Sequence, residues 1–110
     1  MDVKLLNGAV EIMMLEVLSQ GASYGYEIVM TVLTRSGGQF ELKEGSLYPA
    51  LHRLERQELL SSYWTEADGR RRKYYTLTAA GKKALEARKK EWRAFAAGVN
   101  GVLGLQLGLS

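Results

Sequence analysis

A proline interrupts a leucine pattern of helical spacing in the segment EGSLYPALHRLERQELL, residues 44–60. The leucines recur every three or four residues, which predicts a helix with one buried face. Proline lacks an amide hydrogen, and only the first turn of a helix leaves its amides without internal acceptors. We therefore predict that this helix begins near Gly45 or Ser46, which places Pro49 in its first turn.

The two faces of this helix are predicted to carry different chemistry. The buried face carries Leu47, Leu51, Leu54 and Leu59. The opposite face carries Ser46, Pro49, His52, Arg53 and Arg56. Because the leucines hold the helix on a core, its short and hydrogen-bonding side chains are free to meet a partner.

Two more helices are predicted upstream. Residues 5–18 are apolar on more than one face, so a helix here should be covered from two sides. Ser23 is the predicted N-cap of the second helix, whose apolar residues recur between Ile28 and Leu33 at the spacing of one buried stripe. The glycine-containing segment 36–38 should end that helix.

A hairpin and a last helix are predicted downstream. Residues 59–66 and 71–78 are rich in β-branched and aromatic side chains, which favours two strands. Asp68 and Gly69 lie between them, and this pair suits the tight turn of a β-hairpin, whose central residues need positive φ. Thr78 is the predicted N-cap of the last helix.

The last helix carries an apolar stripe at heptad spacing, with Arg88 at its one polar position. The stripe consists of Leu85, Trp92, Phe95, Val99 and Val102. Three helices and a hairpin already close a core, so an additional apolar stripe predicts a partner surface and a homodimer. The sequence becomes glycine-rich from Gly98, so the helix should end between residues 98 and 104, which leaves residues 105–110 as a flexible tail.

The composition fits one small domain. The chain has 110 residues, of which 46% are hydrophobic, enough for a single core. It has no cysteine and one histidine, so it offers no disulfide, no Cys–His pair and no multi-histidine metal site. No apolar run approaches the ~20 residues that span a bilayer, and no secretory leader is apparent. We expect a cytoplasmic protein that is not an enzyme and needs no cofactor, metal or membrane.

Positive charge is concentrated at one place in the sequence. The net charge is only +3, but four consecutive basic residues, 70–73, follow the predicted turn. A clustered basic tip favours binding to a polyanion more strongly than the average charge does.

The order of three helices, a hairpin and a final helix is typical of a winged helix-turn-helix. The predicted fold is mainly α with a small β-hairpin. It comprises a winged helix-turn-helix DNA-binding domain over residues 1–78 and a C-terminal dimerisation helix over residues 79–104. In this fold the third helix enters the major groove of DNA, and the hairpin wing reaches the backbone or the adjacent minor groove.

Three motifs in this order resemble the PadR family of bacterial and archaeal transcriptional regulators. They are YGYEI at residues 24–28, LKEGSLYPALHRLERQELL at 42–60 and DGRRRKYYTLTAAGKKAL at 68–85. The resemblance is to the small members of the family, which have a single C-terminal dimerisation helix. It implies a dimer that is usually a repressor, in which the final helix of each subunit packs against the first helix of its partner.

The sequence patterns and the resemblance together give two sets of expected functional residues. The expected contacts with double-stranded DNA are Tyr24, Tyr26, Lys43, Ser46, Tyr48, Pro49, His52, Arg53, Arg70, Arg71, Arg72 and Lys73. The expected dimer interface consists of Leu6, Val10, Met13, Met14, Leu85, Trp92, Phe95, Val99 and Val102.

Two alternatives stay open. Trp92 either packs in the dimer interface or, with Phe95, lines a pocket for a small aromatic or drug-like effector, as in similar PadR-like regulators. A winged helix can also serve as a protein-interaction module without sequence-specific DNA binding. Such a module should show an apolar patch where this sequence has a polar third helix beside a basic hairpin.

Overall fold

The computed structural model describes the backbone of residues 3–105 and the side chains of residues 8–105. In chain order, the elements are α1 (Val3–Leu18), β1 (Ser23–Tyr24), α2 (Gly25–Arg35), α3 (Glu44–Arg56), β2 (Leu60–Ala67), β3 (Arg70–Leu77) and α4 (Ala79–Leu103). The order of helices and hairpin confirms the predicted winged helix-turn-helix. None of the helices within the described residues is long and apolar enough to cross a membrane.

The predicted N-cap of α2 is wrong by one residue. Ser23 lies in the short strand β1, paired with Tyr75 of β3, and Tyr24 takes the cap position. The cap is made by a carboxylate three residues on, because Glu27 Oε1 accepts a hydrogen bond of 3.4 Å from the backbone amide of Tyr24. At its other end α2 stops at Arg35, as predicted, before Gly37 at φ 67°.

Pro49 lies deeper in α3 than predicted. The helix begins at Glu44, so Pro49 is its sixth residue and falls in the second turn. Its missing amide leaves the carbonyl of Gly45 without the usual helical donor. Gly45 is exposed, so water can satisfy that carbonyl, and the apolar face of α3 is buried as predicted.

The three strands form one antiparallel sheet with the order β1-β3-β2. Asp68 and Gly69 have φ of 53° and 75°, so they alone make the predicted two-residue turn between β2 and β3. We call the β2–β3 hairpin, residues 60–77, the wing. The sheet thereby fixes the wing to the start of α2.

A single core lies between the helices and the root of the wing. Its buried residues are Val10, Met14, Leu15, Val17, Leu18, Ile28, Val32, Leu42, Leu47, Ala50, Leu51, Leu54, Leu60, Tyr75 and Leu85. The set includes three of the leucines predicted to face inward from α3. The fourth, Leu59, is partly buried against this cluster.

Three residues predicted at the dimer interface belong to this core instead. Val10 is 6% exposed, Met14 0% and Leu85 3%. The heptad stripe of α4 therefore begins inside the protomer, where α4 contacts α1. These three side chains offer almost no surface to a partner, so we assign them to the protomer's own core.

The helix α4 extends the molecule to 54 × 29 × 27 Å. Thr78 caps it as predicted, since its Oγ1 accepts a 2.9 Å hydrogen bond from the amide of Gly81. The helix continues through Gly98 and Gly101 and ends at Leu103, within the predicted interval. Gly104 closes it at φ 73°.

An ion-pair cluster joins α1 to α2 and α4. Glu16 Oε1 pairs with Nζ of Lys89, and its Oε2 lies 3.9 Å from Nη2 of Arg35. The hydrogen bond from Lys89 lowers the pKa of the Glu16 carboxyl, and the charges of Lys89 and Arg35 add to that effect against partial burial. The cluster thus favours the ionised form of Glu16.

We expect the free energy of unfolding to fall less between pH 7 and pH 3 in Glu16→Gln than in the wild type. The folded state holds the Glu16 proton less tightly than the unfolded chain does, so the stabilisation is present above the unfolded pKa and lost as the pH falls through the folded one. Because the pair is partly exposed, its contribution at pH 7 should be about 0.5 kcal/mol. Urea unfolding at pH 7 and pH 3 measures it, with Glu86→Gln, exposed on α4, as control. Identical pH dependence in both variants would contradict the assignment.

Candidate nucleic-acid interface

One face of the wing packs towards α3. Cross-strand pairing sets Trp64 opposite Lys73, and alternation puts Tyr75 on the same face. Lys73 Nζ lies 3.7 Å from Oε1 of Glu55 on α3, so this lysine bridges the wing and the helix. Tyr75 is 2% exposed, and its burial raises the pKa of its phenol. This face anchors the root of the wing on the core.

The other face of the wing carries a row of three tyrosine rings. Tyr63 stacks on Tyr74 with ring centroids 5.8 Å apart, and Tyr24 of β1 meets Tyr74 edge-on at 5.3 Å. Aromatic pairs of this geometry add stability beyond the area they bury. The row therefore stiffens the wing where it joins α2.

Two wing arginines lie on aromatic faces. The guanidinium carbon of Arg71 is 4.6 Å from the ring centroid of Trp64, and that of Arg72 is 4.6 Å from the centroid of Tyr24. Stacking of this kind restrains a guanidinium through its flat face and leaves the N–H donors at its edge available. Both cations are thereby held in place for a planar or anionic partner.

A groove of about 500 Å³ lies between the start of α2, the exposed face of α3 and the wing. We call it the recognition groove, and it is lined by Tyr24, Gly25, Tyr26, Tyr48, His52, Trp64, Arg71, Arg72, Lys73 and Tyr75. The structure therefore brings together seven of the twelve residues predicted to contact DNA, from the four elements β1, α2, α3 and β3.

Four other predicted contacts are exposed but lie outside the lining of this groove. Lys43 Nζ is paired at 2.7 Å with Glu41, and both side chains face solvent. Ser46 and Pro49 lie on the exposed surface of α3, and Arg70 lies at the tip of the wing. All four side chains remain accessible to a partner that extends beyond the groove.

Arg53 does not project from the exposed face of α3 as the sequence predicts. Its Nε donates a 2.9 Å hydrogen bond to Oε2 of Glu11 on α1, and its side chain is 32% exposed. The guanidinium is therefore engaged inside the protomer. A base-reading role would require it to leave this carboxylate.

Two side chains that line the groove, those of Tyr48 and Lys73, also contact other elements of the protein. Tyr48 is 39% exposed, and a Cβ at Gly25 would lie 2.7 Å from its hydroxyl oxygen, so the ring reaches over the start of α2. Lys73 shares the carboxylate of Glu55 with Ser62, whose hydroxyl donates to Oε2. His52 and Tyr26 are more open, and Tyr26 is 65% exposed.

Sequence reasoning missed Trp64. It is 56% exposed on the wing, directly under the Arg71 guanidinium. The signal was present, because strand alternation places residue 64 on the same face as residues 71 and 73. Tryptophan and arginine together are a combination that is enriched at binding surfaces.

Some residues predicted at the dimer interface are exposed in the structure, and others are buried in the core of the protomer. On α4, Trp92, Phe95, Val99 and Val102 are exposed, and the first two rings lie 5.8 Å apart. Met13 is partly buried against the core. The side chain of Leu6 lies outside the described residues.

The described residues hold no group of three or more histidine, aspartate or glutamate side chains placed to bind a metal ion. The site is instead made of cations and aromatic rings on a winged-helix frame. The model of the PadR-like family of transcriptional regulators matches residues 14–87. The chain belongs to the PadR family.

Solved structures of similar proteins show the same architecture, and a further regulator is similar in sequence. A transcriptional regulator from Clostridium thermocellum is 33% identical and superposes with a TM-score of 0.83, over 89% of this chain and 96% of that one. A PadR family transcription regulator from Clostridium difficile is 42% identical, with a TM-score of 0.75 over 86% and 97% of the two chains. Transcriptional regulator Rv3488 of Mycobacterium tuberculosis is 47% identical over 53 residues, 48% of each chain. This PadR protein is thus a winged-helix member of a family of DNA-binding regulators.

Proposed function

We propose that this PadR protein is a sequence-specific, homodimeric repressor that binds a pseudo-palindromic operator. The observation that carries the proposal is the recognition groove, whose lining joins the exposed face of α3 to Arg71 and Arg72 of the wing. A winged helix needs this arrangement to contact a base edge and the flanking phosphates at once.

The residues of the groove suit different parts of a DNA duplex, according to their side-chain chemistry. His52, exposed on α3, can hydrogen-bond to a base edge or a phosphate in the major groove. Arg71 and Arg72 supply fixed cationic donors for the backbone or the minor groove beside it. Tyr26, at the start of α2, offers a hydroxyl to a phosphate on the near strand.

The homodimer is supported by two apolar surfaces on the same protomer. One is the exposed part of the α4 stripe, whose Val102 is 88% exposed. The other is a cavity of about 390 Å³ lined mainly by Ile12, Met13, Val17, Val32 and Phe40, with Glu16, Arg35, Ser36 and Lys89 at its edge. Twofold pairing can place the stripe of each protomer on the other's first two helices and cover both surfaces.

The dimer gives the repressor its geometry. Two α3 helices related by a twofold axis enter major grooves one or two helical turns apart, which requires an inverted repeat of fixed spacing. Trp92 and Phe95 then lie at the interface, where a flat aromatic effector could stack. An effector that separated the α4 helices would change the distance between the α3 helices and release the operator.

Selection from a random duplex pool at near-physiological salt tests this function. We expect several rounds to enrich an inverted repeat with one preferred spacing, and a reporter carrying that repeat in its promoter to be repressed. Repeating the last binding step with a panel of flat aromatic compounds tests for an effector. Weak, salt-sensitive retention without enrichment would contradict sequence-specific binding and favour a protein-interaction module.

A further inference from the structure

A single carboxylate joins three helices behind the recognition groove. Glu11 on α1 accepts a 2.9 Å hydrogen bond from Arg53 Nε on α3 with its Oε2. Its Oε1 accepts a 2.8 Å hydrogen bond from Arg88 Nη1 on α4. We call this set of three side chains the Glu11 clamp.

The carboxylate of the clamp is largely shielded from solvent, and its two arginines are partly exposed. The Glu11 side chain is 13% exposed, and those of Arg53 and Arg88 are 32% and 30% exposed. Each carboxylate oxygen accepts from a different arginine, so loss of either arginine would leave one oxygen of a largely buried carboxylate without its donor. Charge-assisted hydrogen bonds to the two carboxylate oxygens also fix the orientation of each guanidinium as well as its distance from Glu11.

The two arginines come from the two helices that matter for operator geometry. Arg53 lies on α3, and Arg88 occupies the polar position of the α4 stripe. Glu11 and Arg88 also line a cavity of about 330 Å³ together with Trp92 and Phe95. A partner that covers Trp92 and Phe95 would therefore lie beside Glu11 and Arg88 of the clamp.

We propose that Glu11 is a positioning residue that sets the angle of α3 relative to α4 through Arg53 and Arg88. The inference rests on the proposed function, in which α4 forms the dimer and α3 reads DNA. If α4 lies along the twofold axis, the relation between α3 and α4 within one protomer determines the separation of the two α3 helices. The clamp then specifies the half-site spacing, and Arg53 acts by positioning α3 rather than by reading bases.

Discrimination between operator spacings is the property that the clamp controls. A variant that merely folds less well lowers the active fraction and weakens binding to every duplex by the same factor. A variant that loosens α3 relative to α4 instead tolerates a spacer changed by one base pair. The ratio of the two affinities therefore separates positioning from simple destabilisation.

Glu11→Gln is the central variant. Affinities of the full-length protein are measured by fluorescence anisotropy for the selected operator and for the same operator with one base pair added to or removed from its spacer. The spacing ratio is the affinity for the selected operator divided by the affinity for the operator with the altered spacer. We expect Glu11→Gln to lower this ratio by about fivefold, the scale of one weakened charged hydrogen bond. Arg88→Gln, which leaves Arg53 its partner, should lower the ratio in the same direction.

Two matched controls isolate the effect. Glu86→Gln removes one negative charge from an exposed position of α4 and corrects for the general gain in attraction to DNA. Ile28→Val removes one methylene from a fully buried position and corrects for lost stability. Neither control should change the spacing ratio.

Other outcomes would overturn the inference. If Glu11→Gln weakens all duplexes equally, as Ile28→Val should, its role is structural only. If it tightens all duplexes at an unchanged ratio, Glu11 competes with DNA phosphate for Arg53. If the wild type selects no operator, the proposed function fails. Amide hydrogen exchange in α3 of the free protein then decides whether Glu11 fixes that helix, since faster exchange in Glu11→Gln than in Glu86→Gln is required.

Discussion

Replacing Arg71 and Arg72 together with alanine is expected to weaken binding to selected and random duplexes alike, by about ten- to a hundredfold at near-physiological salt. Both guanidiniums lie stacked on aromatic rings at the edge of the recognition groove, so each can meet a phosphate without rearranging. Loss of two phosphate contacts should also reduce the slope of log affinity against log salt by about two. Anisotropy titrations at four salt concentrations measure both quantities.

The matched control removes two positive charges elsewhere. Lys83→Ala with Lys90→Ala changes the net charge by the same amount at exposed positions of α4. This pair should leave the salt slope nearly unchanged. Equal effects of the two double variants would mean that the wing contributes only long-range attraction. A loss confined to the selected operator would instead assign the wing arginines to base or minor-groove reading.

Gly81→Ala is expected to destabilise the fold by about 3 kcal/mol or more, the upper range for an overpacked core position. Gly81 lies buried in the first turn of α4, where a Cβ would come within 2.2 Å of the backbone carbonyl oxygen of Leu59 and 2.7 Å of Leu77 Cδ1. The Leu59 oxygen belongs to the backbone of the loop after α3, so it can make room for a Cβ only if that loop moves as well. Urea unfolding at pH 7 provides the measurement.

Two other glycines serve as controls for that substitution. A Cβ at Gly101, also in α4, meets nothing within 4 Å, so Gly101→Ala should be neutral or slightly stabilising through helix propensity. At Gly25 a Cβ meets chiefly the hydroxyl end of Tyr48, which is partly exposed and can swing away. A mild cost at Gly81, similar to that at Gly25, would show that the start of α4 is adaptable.

The parts of the fold that depend on short-range patterns could be predicted from the sequence. The turn at Asp68 and Gly69, the cap at Thr78 and the buried leucines of α3 each follow from residues that are close in the chain. The strand β1 was missed because two residues are too few to show alternation. Its pairing with β3 is fixed by tertiary packing.

The candidate site was less predictable because its contacts are long-range. Arg53 resembles an exposed residue of α3 by periodicity, yet its partner Glu11 lies 42 positions earlier in the chain. A heptad stripe likewise has the same appearance whether it packs in its own protomer or on a partner. Leu85 is buried in the protomer and Val102 is open, and no local pattern distinguishes the two.

The two-residue turn of the wing has a consequence for the thermodynamics of association. Asp68 and Gly69 are the entire loop, and every residue from 60 to 67 is paired with one from 70 to 77. The ribbon that presents the arginines therefore has little backbone freedom left to lose. Association should carry a small conformational entropy penalty at the wing, unlike that of a basic arm that must order on DNA. Less of the binding free energy contributed by the wing arginines is therefore lost to ordering of the wing backbone.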